Sequence, residues 1–182
     1  GWEQADVTDA TAMSAAVARA EAARGSVDIL VNNAGAAESA SFARTDRAMW
    51  DRMLALNLSS VFEAAQLVLP GMIANKFGRV VNVISTSVKE PIDNLGVSNT
   101  VRAAVAGWAK TCSRELAPFG ITVNNVLPGF TQTQRLTSLI AANAKKSGKS
   151  EDQIAHDMLA AVPAGRFADA TEVAAVIAFL CS

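Results

Sequence analysis

Short apolar runs that alternate with long helical segments constrain the fold of this chain more than any other feature. The three apolar runs are Val27–Val31, Arg79–Ile84 and Ile121–Leu127. Uniformly apolar strands are typical of parallel sheets that are covered on both faces. The helical patterns before, between and after them lie at 8–24, 46–75, 94–118 and 171–180. This alternation predicts βαβ units, and therefore a doubly wound, three-layer α/β/α domain with a Rossmann-like parallel sheet.

Local signals indicate how two of these helices begin and end. Thr8 or Asp9 is expected to cap the first helix, because both residue types accept hydrogen bonds from helix N-termini. The segment 46–75 predicts one long helix or two in succession. Pro70-Gly71 is expected to disturb its last turns, because proline removes a backbone donor.

Composition excludes several classes of function. Sixteen Lys+Arg against 17 Asp+Glu give a net charge of -1 with no basic stripe, so no nucleic-acid partner is expected. No apolar run approaches the ~20 residues that span a bilayer, so no membrane partner is expected. Cys112 and Cys181 lie far apart without metal-site spacing, which indicates two free thiols in a reducing cytoplasm and no metal. The chain has no tyrosine, so no phenol can act as its acid.

Polar or glycine-bearing turns follow all three predicted strands. They are Asn32-Asn33-Ala34-Gly35, Ser85-Thr86-Ser87 and Pro128-Gly129. Ligands of open parallel sheets bind outside the carboxyl ends of the strands, so we expect these turns to face one crevice. No linker is evident, so residues 1–182 are expected to form a single partial domain. Its polar, helix-prone segment at about 131–162 predicts a mobile substrate lid.

The motifs at these strand ends, taken in order, resemble those of the short-chain dehydrogenase/reductase family. Val27–Gly35 is similar to the family's fourth strand and NNAG turn, and Leu56–Ser60 to the helix with its catalytic asparagine. Gly78–Ser85 is similar to the strand before its catalytic serine, and Pro128–Thr133 to its PG motif. Arg166–Leu180 resembles its RF…EVA…FL tail. The resemblance implies an NAD(P)-dependent, 3-oxoacyl-reductase-like enzyme that transfers hydride to or from a small carbonyl or secondary alcohol.

The same resemblance assigns the catalytic positions to Asn57, Ser85, Ser98 and Arg102. In the family, the asparagine anchors a water in the proton path and the serine holds the substrate oxygen. Ser98 and Arg102 stand where the family carries a tyrosine and a lysine, as in a divergent β-ketoacyl-carrier-protein-reductase-like subgroup. An aliphatic hydroxyl is a far weaker acid than a phenol, whose pKa is about 10, so Ser98 cannot simply replace the tyrosine.

Each of these four residues also has a structural interpretation. Asn57 could satisfy a kinked helix, and Ser85 could bond its own backbone. Ser98 is either a small residue tolerated where function has lapsed or a hydroxyl that holds water or substrate. Arg102 is either an ion-pair partner on the helix surface or a cation aimed at the crevice. In the second case it could clamp a cofactor hydroxyl, a phosphate or a substrate carboxylate.

The resemblance further implies a surface that binds NAD or NADP. The pair Asp6-Val7 matches residues against the adenine ring, the NNAG turn passes close to the adenosine ribose, and two threonines match the nicotinamide carboxamide segment. The cofactor-binding residues that it implies are Asp6, Val7, Asn33, Ala34, Gly35, Arg102, Pro128, Gly129, Thr131 and Thr133. The family residues that select NAD or NADP follow a strand with no counterpart in this chain.

Three further expectations come with the resemblance. The family's TGxxxGxG turn would precede Gly1 and its last strand would follow Ser182, so the chain is expected to be truncated at both ends. In the family, the helices matching 46–75 and 94–118 pair with their copies, which implies a homodimer or homotetramer. The missing tyrosine leaves an alternative function open, that of a catalytically lapsed dinucleotide-binding subunit with a structural or regulatory role.

Overall fold

The chain forms two compact units of very different size. The computed structural model describes every residue from Gly1 to Ser182. One unit comprises Gly1–Leu127 together with Phe179–Ser182, and the other comprises Pro128–Ala178. The larger unit contains the predicted strands, and the smaller one contains the segment that we expect to act as a lid.

A parallel sheet organises the larger unit. Its strands are β1 (Ile29–Asn32), β2 (Gly78–Val83) and β3 (Ile121–Val126). They lie in the order β1-β2-β3, and both neighbouring pairs are parallel. Together with the helices that pack on it, this sheet confirms the predicted Rossmann-like α/β class.

Four helices belong to this unit, and the first begins where an acidic cap was expected. They are α1 (Ala10–Arg24), α2 (Arg47–Leu54), α3 (Ser60–Asn75) and α4 (Gly96–Glu115). The Asp9 side chain accepts hydrogen bonds from the backbone amides of Thr11 and Ala12, at 2.9 and 3.0 Å. Asp9 is therefore the N-cap of α1, and not Thr8.

Helices α2 and α3 form one continuous helix, because a π-helical turn at Ala55–Ser59 joins them. α3 does not end at Pro70-Gly71 but continues to Asn75, so the expected disturbance does not break the helix. Pro70 has no amide proton to donate to the carbonyl of Gln66, four residues earlier. Both residues are exposed, so water can bond that carbonyl instead. By length and composition alone, this helix could cross a membrane. The core helix of a soluble protein passes the same test, so this is weak evidence.

The core lies between the sheet and the two long helices. Its main cluster combines Val68 and Met72 of α3 with Ala109 of α4 and three strand residues. The strand members are Val80, Ile121 and Val123. Gly120 turns the chain into β3 at a φ of +71°, and a Cβ there would collide with the carbonyl oxygen of Lys76. The start of β3 therefore requires glycine.

The smaller unit has a short parallel pair and helices. Its elements are β4 (Thr131–Gln132), β5 (Ala168–Asp169), α5 (Gln134–Ser147), α6 (Glu151–Ala160) and most of α7 (Ala170–Leu180). Arg166 binds the Glu172 carboxylate through two hydrogen bonds of 2.7 Å. The Asp169 amide donates a third, also of 2.7 Å. These bonds lower the pKa of Glu172 to about 2.

Candidate active site

Three asparagines join the carboxyl-terminal parts of the three strands. Asn32, Asn82 and Asn125 lie side by side in the register of β1, β2 and β3. Asn32 Nδ2 donates to Asn82 Oδ1 at 2.9 Å, and Asn82 Nδ2 donates to Asn125 Oδ1 at 3.0 Å. Asn82 is only 1% exposed. This asparagine ladder fixes the strand ends from which the NNAG turn and Ser85 emerge.

Asn57 ties the NNAG turn to the long helix. It lies in the π-helical turn and is fully buried. Its Oδ1 accepts a hydrogen bond from the Ala36 amide at 3.2 Å, and its Nδ2 donates to the Met53 carbonyl at 3.1 Å. The side chain thus makes the structural contacts that the sequence offered as one interpretation. Its part in a proton path stays a prediction.

Arg102 projects from α4 to the same turn. Its Nη1 donates to the carbonyl of Val83, the last residue of β2, at 3.0 Å. A Cβ added to Gly35 would lie 2.5 Å from Arg102 Nη2 and 2.8 Å from Asn57 Oδ1, so the guanidinium and the amide both lie against Gly35. Gly35, Asn57 and Arg102 therefore form one cluster at the ends of β1 and β2.

The charge of Arg102 has no partner in the protein. It forms no ion pair, whereas Arg19, Arg47, Arg52 and Arg166 each pair with a carboxylate on the surface. Arg102 is half-buried, and this desolvation lowers its pKa below the usual value of an arginine. Of the two sequence interpretations of Arg102, the surface ion pair is wrong. The guanidinium instead lies over the strand ends.

The two serines of the expected catalytic set lie on separate elements. Ser98, one turn before Arg102 on α4, is 5% exposed. Ser85 caps the short turn Thr86–Val88, and its Oγ accepts a hydrogen bond from the Ser87 amide at 3.1 Å. Ser85 therefore bonds its own backbone, as one interpretation expected, and its hydroxyl proton is free to donate. No hydrogen bond joins Ser85 to Ser98.

Part of the predicted cofactor surface comes together beside β1. Val7, Asn33 and Ala34 line one small cavity of about 110 Å³. Asp6 is exposed, and Thr8 donates to its Oδ1 from the amide at 2.9 Å and from the hydroxyl at 2.8 Å. These bonds lower the pKa of Asp6, so its carboxylate is ionised at neutral pH. The larger cavity, about 600 Å³ between α4 and β3, contains none of the predicted site residues.

The remaining predicted cofactor residues belong to the smaller unit. Thr131 lies in β4, and its hydroxyl donates to the carbonyl of Gly129 at 3.2 Å. The Thr133 hydroxyl donates to the Thr131 carbonyl at 3.4 Å. These bonds shape the turn after Pro128, and the contact of this segment with a nicotinamide stays a prediction.

Sequence reasoning missed the asparagine ladder and the contact of Arg102 with Gly35. The ladder had a signal, because each of the three apolar runs carries an asparagine within or directly after it. Recognising it required the register between strands, which no spacing within one strand gives. The Arg102 contact had no signal, because it joins three separate elements.

Known proteins share both the sequence pattern and the fold. A family model described as enoyl-(acyl carrier protein) reductase matches residues 2–182. The chain is 38% identical over 160 residues to the 3-oxoacyl-(acyl-carrier-protein) reductase of Vibrio cholerae. This alignment covers 87% of this chain and 60% of that protein. It is 37% identical over 179 residues to the Escherichia coli protein of the same name, covering 97% of this chain and 68% of that one.

A solved structure gives the same picture. A variant of actinorhodin polyketide ketoreductase with NADPH superposes with a TM-score of 0.93 at 32% identity, covering 99% of this chain and 70% of that one. The chain therefore spans 60–70% of the length of these relatives.

Proposed function

Because this chain belongs to the short-chain dehydrogenase/reductase family, we propose that its protein is an NAD(P)-dependent oxidoreductase. The reaction that we propose transfers a hydride between a nicotinamide and a small carbonyl compound or secondary alcohol, as in 3-oxoacyl reduction. The cluster of Gly35, Asn57 and Arg102 at the carboxyl ends of β1 and β2 carries the proposal. In sheets of this kind, ligands bind at that edge.

The residues present fit a nicotinamide dinucleotide. Val7, Asn33 and Ala34 line one cavity, and the lack of a side chain at Gly35 lets Arg102 and Asn57 pack against the same turn. We propose that Asp6 and these residues hold the adenosine part, and that Pro128, Gly129, Thr131 and Thr133 hold the nicotinamide. When bound, the cofactor supplies or accepts the hydride at the carbon that changes oxidation state.

The proton is the harder part of the reaction for this chain. Reduction of a carbonyl needs one proton on the oxygen for each hydride on the carbon. The sequence contains no tyrosine, and Asn57 uses its side chain on the backbone. We propose that water delivers the proton, bound near Ser85, Ser98 and Arg102. A well-placed acid contributes about 10²–10⁴ in rate, so reduction should be slow.

Restoring the family's acid tests this proposal. The double variant Ser98→Tyr/Arg102→Lys should reduce methyl acetoacetate at least about tenfold faster than the unaltered protein, because it regains part of the acid's contribution. The assay follows NADH or NADPH absorbance, and tryptophan fluorescence measures cofactor affinity. Ser98→Phe/Arg102→Lys is the matched control, since it adds the ring without the hydroxyl and should show no gain.

Three outcomes would contradict the proposal. An unaltered protein that binds neither NADH nor NADPH would reject the oxidoreductase and its cofactor. Fast turnover of the unaltered protein that the double variant abolishes would show that Ser98 and Arg102 serve another chemistry. A protein that binds cofactor but gains no reduction from the tyrosine would leave the lapsed subunit as the better description.

We also propose a homodimer or homotetramer in the cytoplasm. Phe62 on α3 is 43% exposed, and Ala103, Ala104 and Gly107 form an exposed strip of small residues on α4. These helices match those that pair between copies in the family. Both cysteines are free thiols, in keeping with a reducing compartment. Light scattering that shows a monomer at micromolar concentration would reject the assembly.

Finally, we propose that the segment at about 131–162 covers the substrate. It contains α5 and α6, which pack against each other in the smaller unit. Faster proteolysis of this segment without substrate than with it would support the role.

A further inference from the structure

Arg102 carries a positive charge that no carboxylate of the protein neutralises. It also has more hydrogen-bond donors than the protein provides acceptors for. A guanidinium has five N–H donors in a planar fork. In this structure Arg102 uses one nitrogen, Nη1, on the carbonyl of Val83. Leaving a partly desolvated charge without a counter-ion is costly. A bound anion that neutralises such a charge offsets most of this desolvation cost.

The surroundings of Arg102 hold the fork in place. Val83 fixes Nη1, and Gly35 lets Nη2 lie directly against the NNAG turn. No acidic residue acts on the pKa of Arg102, which is shifted by desolvation alone. The guanidinium is therefore held at the strand ends, and no acidic residue of the protein neutralises its charge.

We infer that Arg102 binds the carboxylate of a short oxo acid, so that the substrate is a free acid and not its ester or thioester. This inference rests on the proposed function, because it names the substrate class of that same site. Arginine binds carboxylates through two parallel hydrogen bonds, which lysine cannot do. The exchange of lysine for arginine at this position therefore adds a specific way of holding a planar anion.

The location of Arg102 favours a substrate carboxylate over a cofactor phosphate. Its helix carries Ser98 one turn earlier, and its fork contacts the last residue of the strand that leads to Ser85. Ser85 and Ser98 carry the two hydroxyls near which we propose that the proton-delivering water binds. A carboxylate one or two bonds from a carbonyl at this place would meet the guanidinium.

A matched pair of ligands tests the inference without requiring turnover. Acetoacetate and methyl acetoacetate differ in the charge of one group. With saturating NADP⁺ or NAD⁺, which has no hydride to transfer to a ketone, calorimetry should show acetoacetate binding about 10- to 100-fold more tightly to the unaltered protein, as expected for charge-assisted hydrogen bonds. Equal affinities would overturn the inference, and this measurement needs no variant to fold.

Variants then identify the group responsible. Arg102→Met should remove most of the preference for acetoacetate over methyl acetoacetate. Arg102→Lys should recover part of the preference, because it keeps the charge but not the fork. Lys110→Met, which removes an exposed cation from the same helix, is the control and should leave the preference unchanged.

The remaining outcomes separate this inference from the proposed function. If Arg102→Met weakens NADPH binding and leaves the acetoacetate preference intact, the anion is a cofactor phosphate and the inference is overturned. A protein that prefers acetoacetate through Arg102 but reduces nothing would support the inference and reject the enzyme. Reduction of both compounds with no preference would support the enzyme and reject the inference.

Discussion

A methyl group at Gly35 should destabilise the protein through contacts with two specific side chains. Gly35 is not among the glycines with positive φ, so its backbone accepts alanine without strain. Its Cβ would lie 2.5 Å from Arg102 Nη2 and 2.8 Å from Asn57 Oδ1, both shorter than van der Waals contact. Neither atom moves freely, because Val83 holds the guanidinium and Ala36 holds the amide oxygen.

The expected size follows from two opposing effects. Overpacking costs about 1–3 kcal/mol, and replacing glycine by alanine restricts the unfolded chain, which stabilises by about 0.4–1 kcal/mol. Gly35→Ala should therefore lower the free energy of unfolding by about 0.5–2 kcal/mol, measured by urea denaturation. Gly96→Ala is the matched control, since a Cβ there meets no atom within 4 Å.

A double-mutant cycle assigns the cost to its cause. Arg102→Ala removes one of the two close contacts, so Gly35→Ala should be less harmful in that background, with a coupling energy of at least about 0.5 kcal/mol. If the two changes are additive within about 0.3 kcal/mol, the guanidinium does not lie against Gly35 and the reasoning is wrong.

Three other perturbations test separate parts of the structure. Asn82→Ala leaves the Asn32 amide donor and the Asn125 acceptor of the ladder unpaired, so it should lower the free energy of unfolding by about 2–4 kcal/mol in urea denaturation. The control Asn124→Ala removes a side chain with no hydrogen bond and should lower it by less than about 1 kcal/mol. The Glu172 carboxyl should titrate near pH 2 by NMR, because its folded pKa is lowered from 4.5 to about 2. Its stabilising contribution should be complete above pH 4.5 and be lost as the pH falls through about 2, and Arg166→Met should bring the pKa back towards 4.5. Asp9→Ala should lower the free energy of unfolding by about 1 kcal/mol, through loss of the cap of α1.

The fold was predictable from the sequence where burial and local geometry agree. The runs that became β2 and β3 are rich in valine and isoleucine and end at turn residues, so strand type and parallel pairing could be predicted. Helix continuity was less accessible. The pattern over 46–75 did not distinguish one helix from two in succession, and Pro70 is tolerated because it faces water, which depends on tertiary structure.

The candidate site was predictable as a set of positions, and less so as a set of contacts. The resemblance named Asn57, Ser85 and Arg102 as site residues, and the structure brings Asn57 and Arg102 together at Gly35. The resemblance could not show that Asn57 uses its amide on the backbone of Met53 and Ala36, or that Arg102 has no carboxylate partner. Such facts depend on side-chain packing between elements that are distant in sequence.

The asparagine ladder has a consequence for how the sheet finds its correct alignment. A strand that is apolar on both faces buries nearly the same surface when it slides past its neighbour, so hydrophobicity discriminates poorly between alignments. The aligned amides Asn32, Asn82 and Asn125 do discriminate. A shift by two residues, the smallest that keeps every side chain on its own face of the sheet, places Asn82 opposite Leu30 or Ala34 on one side and Val123 or Leu127 on the other, so its amide loses its partners. The ladder thus favours one alignment of the strands at their carboxyl ends, where Gly35, Asn57 and Arg102 lie.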